Sequence, residues 1–402
     1  MNILFLTIGR MESIDSYGIY PDLLRQLRDR GHEIYTVSAR ERRTGMATEL
    51  THGAHVHMLG VRVGNITKCN VLEKGISTLC IGGQFKSAIK RYFGDVKFDL
   101  VLYSTPPITL SGVVKWVKRK HKAVSYLLLK DIFPQNAVDL GMLRGLRKPL
   151  YWYFRAKERA LYRISDRIGC MSGANMRFVT AHNPGVDPAR VELLPNCVEL
   201  RDLRLDAAQR AEMRARYDIP QDKRVFVYGG NLGPVQSIGH LVRCLETQLQ
   251  NKDAFFLVVG DGTDFPRLQA FMEREKPENM RLLARLPKED YDRMIAACDV
   301  GMIFLDHRFT IPNFPSRLLS YMQAGLPVLA CTDVNTDVGE VIVQGGFGWW
   351  CESRESADFA ACVEQAMNAE GGEGARAFSY LAEHYDAADH AARLLDSVSS
   401  IK

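Results

Sequence analysis

Nowhere in the 402 residues does an apolar run approach the roughly 18 residues that a membrane span requires. The opening MNILFLTIGR lacks the basic flank of a secretory leader and has the pattern of a short buried strand. A cytoplasmic, non-spanning protein is the expectation. The nine cysteines (Cys69, Cys80, Cys170, Cys197, Cys244, Cys298, Cys331, Cys351 and Cys362) are odd in number and widely spaced, with no C-x-x-C pair. That argues against a disulfide framework or a zinc ribbon and for buried reduced thiols. His52, His55 and His57 form H-x-x-H-x-H in a loop-to-strand region, with no carboxylate partner evident in the sequence. No D-x-D pair is taken to mark a magnesium-dependent donor site. The chain is therefore expected to need no metal and no cofactor.

What is present is 46% apolar and 25% charged residues, the balance of a soluble globular protein. The length suits two α/β domains of roughly 150 to 200 residues each. The net charge of +5 conceals an asymmetry: residues 1–200 carry 30 Lys and Arg against 17 Asp and Glu, and the remainder 22 against 30. One half is thus +13 and the other −8. A basic half faces something anionic. With no zinc-finger spacing and no aromatic RNA-binding signature, membrane phosphates are favoured over nucleic acid.

Short β-rich apolar runs alternate with helix-length segments. In the first half they are NILFLTI, HEIYTVS, FDLVLYS, AVSYLLL and RIGCMS; in the second, RVFVYGG, AFFLVVG, MRLLARL, DVGMIFL and PVLAC. Such alternation predicts doubly wound parallel sheets. A polar stretch from Glu199 to Arg224 separates the cycles, which gives domains at 1–200 and 201–383. A last helix, about 384–402, is expected to dock back on the first domain.

In VFVYGGNLGPVQSIGHLV, Gly229, Gly230 and Gly233 follow a strand and precede a helix. Absent Cβ atoms let phosphates approach the backbone there, and the helix N-terminus offers free N–H groups. Gly260 and Gly262 in VVGDGTD form a second strand-end pair. Pro312 and Pro315 stiffen a loop ending at Ser316, a good N-cap for a helix from about Arg317 to Gln323. Arg317 would give paired donors to a diphosphate, or stand as a solvated or salt-bridged arginine. At the end of AVSYLLLK, Asp131 would either orient and deprotonate an acceptor hydroxyl or cap the turn before Ile132. Ser104 and Thr105 end FDLVLYST, either toward a ligand or as turn residues before two prolines.

The order of these segments, through GGNLG, VGDGTD and PSRLLSYMQAGLPVLA, resembles the retaining family-4 glycosyltransferases of GT-B fold over essentially the whole chain. YLLLKDIFPQNAVDLGML is similar to the D-L-W-P-E-S stretch of a bacterial branch that includes N-acetyl-L-fucosamine transferases of O-antigen and capsule assembly. The resemblance implies two Rossmann-like domains facing a central cleft. A nucleotide diphosphate-sugar, UDP-linked, would be held by the C-terminal domain and a lipid-linked or saccharide acceptor by the N-terminal one. It further implies donor contacts from Gly229, Gly230, Asn231, Gly233, Gly260, Gly262, Leu286, Arg308, Asn313, Phe314, Pro315, Ser316, Arg317 and Ser320. Asp131 would be the catalytic group, with Gly18, Ser104 and Thr105 on the acceptor side. Two departures stand out. The family's frequent Glu-x7-Glu pair is replaced by Pro312 and Ser320, and Pro234, Val235 and Gln236 stand where a basic residue often follows the glycine loop; Arg308 and Arg317 would supply that charge. Alternatives on the same fold are a UDP-sugar 2-epimerase and a nucleotide-binding scaffold without catalysis.

Two segments favour peripheral attachment to the inner face of a membrane. Lys115 to Lys122 is KWVKRKHK, and Arg144 to Arg167 places Leu146, Leu150, Tyr153, Phe154, Leu161 and Ile164 at near-helical spacing among eight basic and two acidic residues. The competing reading is a helix packing that stripe on the core with a solvated basic face.

Overall fold

The computed structural model describes all residues except 68, 144, 146, 147 and 402, and all side chains among those but 71 and 72. Leu146 and Arg144 of the basic segment therefore lie outside the described residues. The chain divides into two compact units, Met1–Glu199 with Ala387–Lys402, and Leu200–Asp386.

In the first unit the strands are β1 (Asn2–Leu6), β2 (Glu33–Glu41), β3 (Glu49–Gly53), β4 (Val56–Val63), β5 (Leu100–Ser104), β6 (Val124–Leu129), β7 (Arg167–Cys170) and β8 (Val191–Leu193). Their order is β3-β4-β2-β1-β5-β6-β7-β8, parallel throughout except for the β3–β4 pair. β5 and β6 are buried along their whole lengths, so continuous apolar runs rather than alternation encode them. The chain order reverses at β1, which lies between β2 and β5. Ligands in open α/β sheets bind beyond the strand ends at such a switch point, and Ser104 and Thr105 stand there.

The second unit contains β9 (Arg224–Asn231), β10 (Ala254–Asp261), β11 (Met280–Ala284), β12 (Val300–Phe304), β13 (Val328–Thr332) and β14 (Gly348–Glu352). They form an all-parallel sheet in the order β11-β10-β9-β12-β13-β14. Here the reversal falls between β9 and β12, so the glycine loop after β9 and the proline loop after β12 flank one crevice.

The helix Ala387–Ser399 belongs to the first unit. Ala387, Ala391, Leu394 and Val398 enter the core made by β1, β2, β5, β6 and the helix Ile19–Asp29, and the Ala387 amide donates to the Val198 carbonyl. Leu394→Ala is expected to cost the first unit about 2–5 kcal/mol, the range for a fully buried leucine. Urea unfolding should show the loss in the transition of that unit alone.

Four strands escape the sequence patterns, among them the three-residue β8. β3 and β4 are the segment containing His52, His55 and His57, and β14 is the short GWWCE run. The pairing corrects one expectation about those histidines. Glu33, on the neighbouring strand, supplies the carboxylate: its Oε1 lies 2.5 Å from His55 Nδ1 and its Oε2 3.4 Å from His57 Nε2.

Candidate active site

At the C-terminal edge of the second sheet, β9 ends at Gly229, Gly230 and Asn231, and the helix Arg317–Gln323 runs beneath it. Tyr321 of that helix is fully buried. Its hydroxyl accepts from the Gly229 amide at 3.1 Å and lies 3.2 Å and 3.1 Å from the Val227 and Met302 carbonyls, tying β9 to β12. A Cβ on Gly229 would come within 2.0 Å of the Tyr291 hydroxyl, and one on Gly301 within 2.4 Å of the Tyr321 ring. These glycines let two tyrosines pack against the strands.

Arg317, the first residue of this helix, stacks its guanidinium on the Tyr228 ring with Cζ 4.5 Å from the centroid. Gly230, exposed and at φ +132°, sits directly above: a Cβ there would be 3.4 Å from Cζ. Nη1 of Arg317 is buried and has no hydrogen-bond partner among the described residues. A buried donor left unpaired costs about 1–3 kcal/mol, so a ligand acceptor at this point recovers that deficit. The side chain is half-buried and, among the described residues, makes no ion pair, which removes the salt-bridged reading of Arg317.

The other glycines do something different. Cβ atoms on Gly260 and Gly262 would lie 2.0 Å and 2.1 Å from the carbonyl oxygens of Gly230 and Leu232, so those glycines lock the β10 loop onto the β9 loop. Asn231 Nδ2 donates to Gln236 Oε1 at 2.9 Å, and Gly233 packs against that amide. Leu286 is half-buried between β11 and the helix Lys288–Ala296.

Arg308 is committed elsewhere. Its Nε and Nη2 donate to the two oxygens of Asp306 at 2.9 Å and 2.8 Å, and its amide adds a third bond to the same carboxylate. Burial alone would raise the Asp306 pKa, and these bonds outweigh it and lower it. The expectation that Arg308 supplies free charge is thereby corrected; Arg317 remains. Ser316 occupies the N-cap position but in helical conformation, without a side-chain cap bond. Asn313 keeps its Nδ2 buried and without a partner, while its carbonyl accepts from the Thr336 hydroxyl. Phe314 packs on Tyr385 with centroids 6.2 Å apart, Pro315 follows half-buried, and Ser320 is half-buried one turn into the helix.

In the first unit, Asp131 lies just past β6. Both its oxygens accept from Asn136 Nδ2, at 2.9 Å and 3.0 Å. Burial pushes the carboxyl up to about 6 despite these bonds and one from the Ile132 amide. Thr105 accepts from the Lys130 and Asp131 amides at 3.0 Å and 3.2 Å, and its hydroxyl lies 3.2 Å from the Asp131 carbonyl. With 2% exposure it positions the Asp131 backbone and has no surface to offer an acceptor. Ser104, 1% exposed, faces Thr7 and Tyr20. Gly18 caps the helix Ile19–Asp29 and gives its amide to Asp22 at 2.9 Å. All three acceptor-side residues thus organise the strand ends. Sequence reasoning missed Lys130, whose ammonium burial pushes down to about 8 and whose Nζ lies 3.4 Å from the Leu194 carbonyl.

One D-x-D does occur, Asp290–Tyr291–Asp292, inside the helix Lys288–Ala296. Asp290 pairs with Arg216, and Asp292 with Lys288 and Arg201. Both carboxylates are spent in ion pairs. A cavity of about 670 Å³ opens at the other end of the same sheet, lined by Arg204, Arg210, Arg214 and Arg224. Arg210 and Arg214 clasp Asp299 there, so it offers less free charge than its composition suggests.

The family model Glycosyltransferase Family 4 matches residues 22–202, and Glycosyl transferases group 1 matches residues 209–385. The chain is 25% identical over 268 residues to "Probable glycosyltransferase WbjE" of Pseudomonas aeruginosa, a match covering 66% of this chain and 63% of that one. It is 23% identical over 273 residues to "Putative colanic acid biosynthesis glycosyl transferase WcaI" of Escherichia coli K12, covering 67% and 63%. The matches thus span a little under two thirds of each relative. Among solved structures, Anabaena HepE in complex with UDP-glucose superposes with a TM-score of 0.70 at 15% identity, over 100% of both chains. The first part of the chain thus matches the Glycosyltransferase Family 4 model, the second the Glycosyl transferases group 1 model, and the two sheets take the GT-B fold.

Proposed function

We propose that this protein is a retaining glycosyltransferase that takes a UDP-linked hexosyl or N-acetylhexosaminyl donor, with Arg317 and the Gly230 loop receiving the diphosphate. The observation that carries this is the unpartnered, buried Nη1 of Arg317 under an exposed glycine at the switch point of the second sheet. The names of WbjE and WcaI and the UDP-glucose in HepE support a sugar donor and a place in polysaccharide synthesis. The helix-borne guanidinium would stabilise the departing diphosphate without a metal. Asp131, with its carboxyl near 6, suits an acceptor-side base.

The acceptor we favour is a lipid-linked saccharide of capsule or O-antigen, met at a membrane surface. No helix among the described residues is long and apolar enough to cross a membrane. On the helix Lys148–Ile164, Leu150, Trp152 and Tyr153 are exposed, while Glu158, Leu161 and Tyr162 pack inward. On the helices Val71–Tyr92 and Ser111–His121, Lys86, Lys90 and Lys120 surround the Trp116 ring at 5.6–5.8 Å. Exposed aromatics beside clustered lysines suit anionic headgroups.

Thermal stabilisation by UDP, GDP, ADP and dTDP tests the donor assignment. A rise in Tm with UDP alone is the expected result. No response to any of the four would leave a scaffold that has lost the donor site.

A further inference from the structure

Five soft side chains, spread over more than a hundred residues of sequence, meet in the core of the second unit. His240 and Cys244 come from the helix Ile238–Glu246, Cys331 from β13, Cys351 from β14 and Cys362 from the helix Ser356–Met367. All are at least 94% buried. The Nε2 of His240 lies 3.4 Å from Cys244 Sγ and 3.4 Å from Cys331 Sγ, and the three donor atoms fall within 4.8 Å of one another. Cys351 is the register partner of Cys331 on the neighbouring strand, and Cys362 belongs to the same buried cluster.

We infer that His240, Cys244 and Cys331 form a structural site for a thiophilic d10 cation, Zn2+ in the case argued here, with Cys351 next in line as a fourth ligand. The spacing is what carries the assignment. A tetrahedral zinc at about 2.3 Å from sulfur and about 2.0–2.1 Å from nitrogen separates N from S by about 3.5 Å and S from S by about 3.8 Å. Both N–S separations already match. Two sulfurs converge on a single ring nitrogen, an arrangement that one shared proton serves poorly and one metal ion serves well. The donors are all soft or borderline and no carboxylate stands among them, which selects zinc or copper(I) over calcium or magnesium.

The protons balance as follows. Cys244 and Cys331 release two thiol protons to solvent as a divalent ion binds, so the net charge of the buried site stays unchanged. His240 binds as the neutral imidazole, through Nε2. Its Nδ1 lies 3.1 Å from Nη2 of Arg243. Ligation through Nε2 places the ring proton on Nδ1, and Arg243, which is exposed, turns away. The ion would pin the helix that follows the glycine loop to β13, and it would lie in the core, outside the donor crevice.

The test uses the full chain expressed in zinc-supplemented medium and purified without chelator. Wild type is expected to hold one zinc per chain by elemental analysis after desalting. Cys331→Ala should hold none, and Cys298→Ala, which removes a buried thiol outside the cluster, should hold as much as wild type. Cobalt in place of zinc should give wild type a thiolate-to-metal charge-transfer absorption, a readout that does not depend on any variant folding. Wild type without zinc, wild type loaded with cobalt but lacking that absorption, or equal zinc in Cys331→Ala would each overturn the assignment.

Discussion

Arg317→Ala is expected to abolish stabilisation by UDP and to lower kcat/KM for sugar transfer by about 10²–10³-fold, the loss seen when one preorganised donor to a developing anion is removed. The reason lies in the geometry around the guanidinium. Tyr228 holds its face, Gly230 opens the space above it, and Nη1 has no competing partner among the described residues. A diphosphate accepting that proton meets a charge already fixed in place. Lysine should rescue poorly, because an ammonium cannot stack on Tyr228 and present a planar fork at once. Arg317→Met, which keeps most of the packing volume, separates charge from cavity effects. Unchanged UDP stabilisation in the methionine variant would rule out Arg317 as the phosphate ligand.

Asp131→Asn should reduce turnover by about 10²–10⁴-fold while leaving donor binding intact. The pH profile provides an independent check. With its carboxyl held at about 6, Asp131 loses its capacity as a base as pH falls through that value, so the acid limb of kcat/KM should have its midpoint near 6. Asn136→Ala removes the two bonds that favour the carboxylate and should move that limb to higher pH. Stability carries the opposite sign. The folded pKa lies above the ordinary 3.8, so the native state keeps a proton that the unfolded chain has lost, and stability falls as pH rises from about 4 to 6. The asparagine variant should lack this slope. An unshifted acid limb in Asn136→Ala would sink the assignment of Asp131 as the base.

The doubly wound architecture was legible because the central strands of both sheets are parallel and buried, so β6, β10 and β13 appear as near-continuous apolar runs. β3, ELTHG, is a short exposed edge strand whose threonine, histidine and glycine resemble a loop, and it hides the start of β4 behind it. The loops after β9 and β12 announced themselves through glycine and proline. Their internal logic did not. Gly260 and Gly262 look like ligand glycines in sequence, yet their missing Cβ atoms admit neighbouring backbone. Tyr321 looks like one more apolar residue of a short helix, and only the register of β9 against β12 shows its hydroxyl joining them. Arg308 and Arg317 are equivalent in sequence. Asp306, two residues from one of them, neutralises it and leaves the other as the unpaired cation. Glu33 reaches the histidines through β2–β4 pairing, and the thiol cluster assembles across gaps of 4, 11, 20 and 87 residues, distances at which no spacing rule operates.

The return of the last helix to the first unit also sets an order on biosynthesis. Leu394 and Val398 are core residues of a unit whose central strand, β1, begins at Asn2. A ribosome must therefore deliver the chain through Val398 before that core can close, whereas the second unit is complete in sequence at Asp386. Vectorial synthesis thus inverts the usual rule: the part made first is the part finished last, and its open face is presented to chaperones for the longest time.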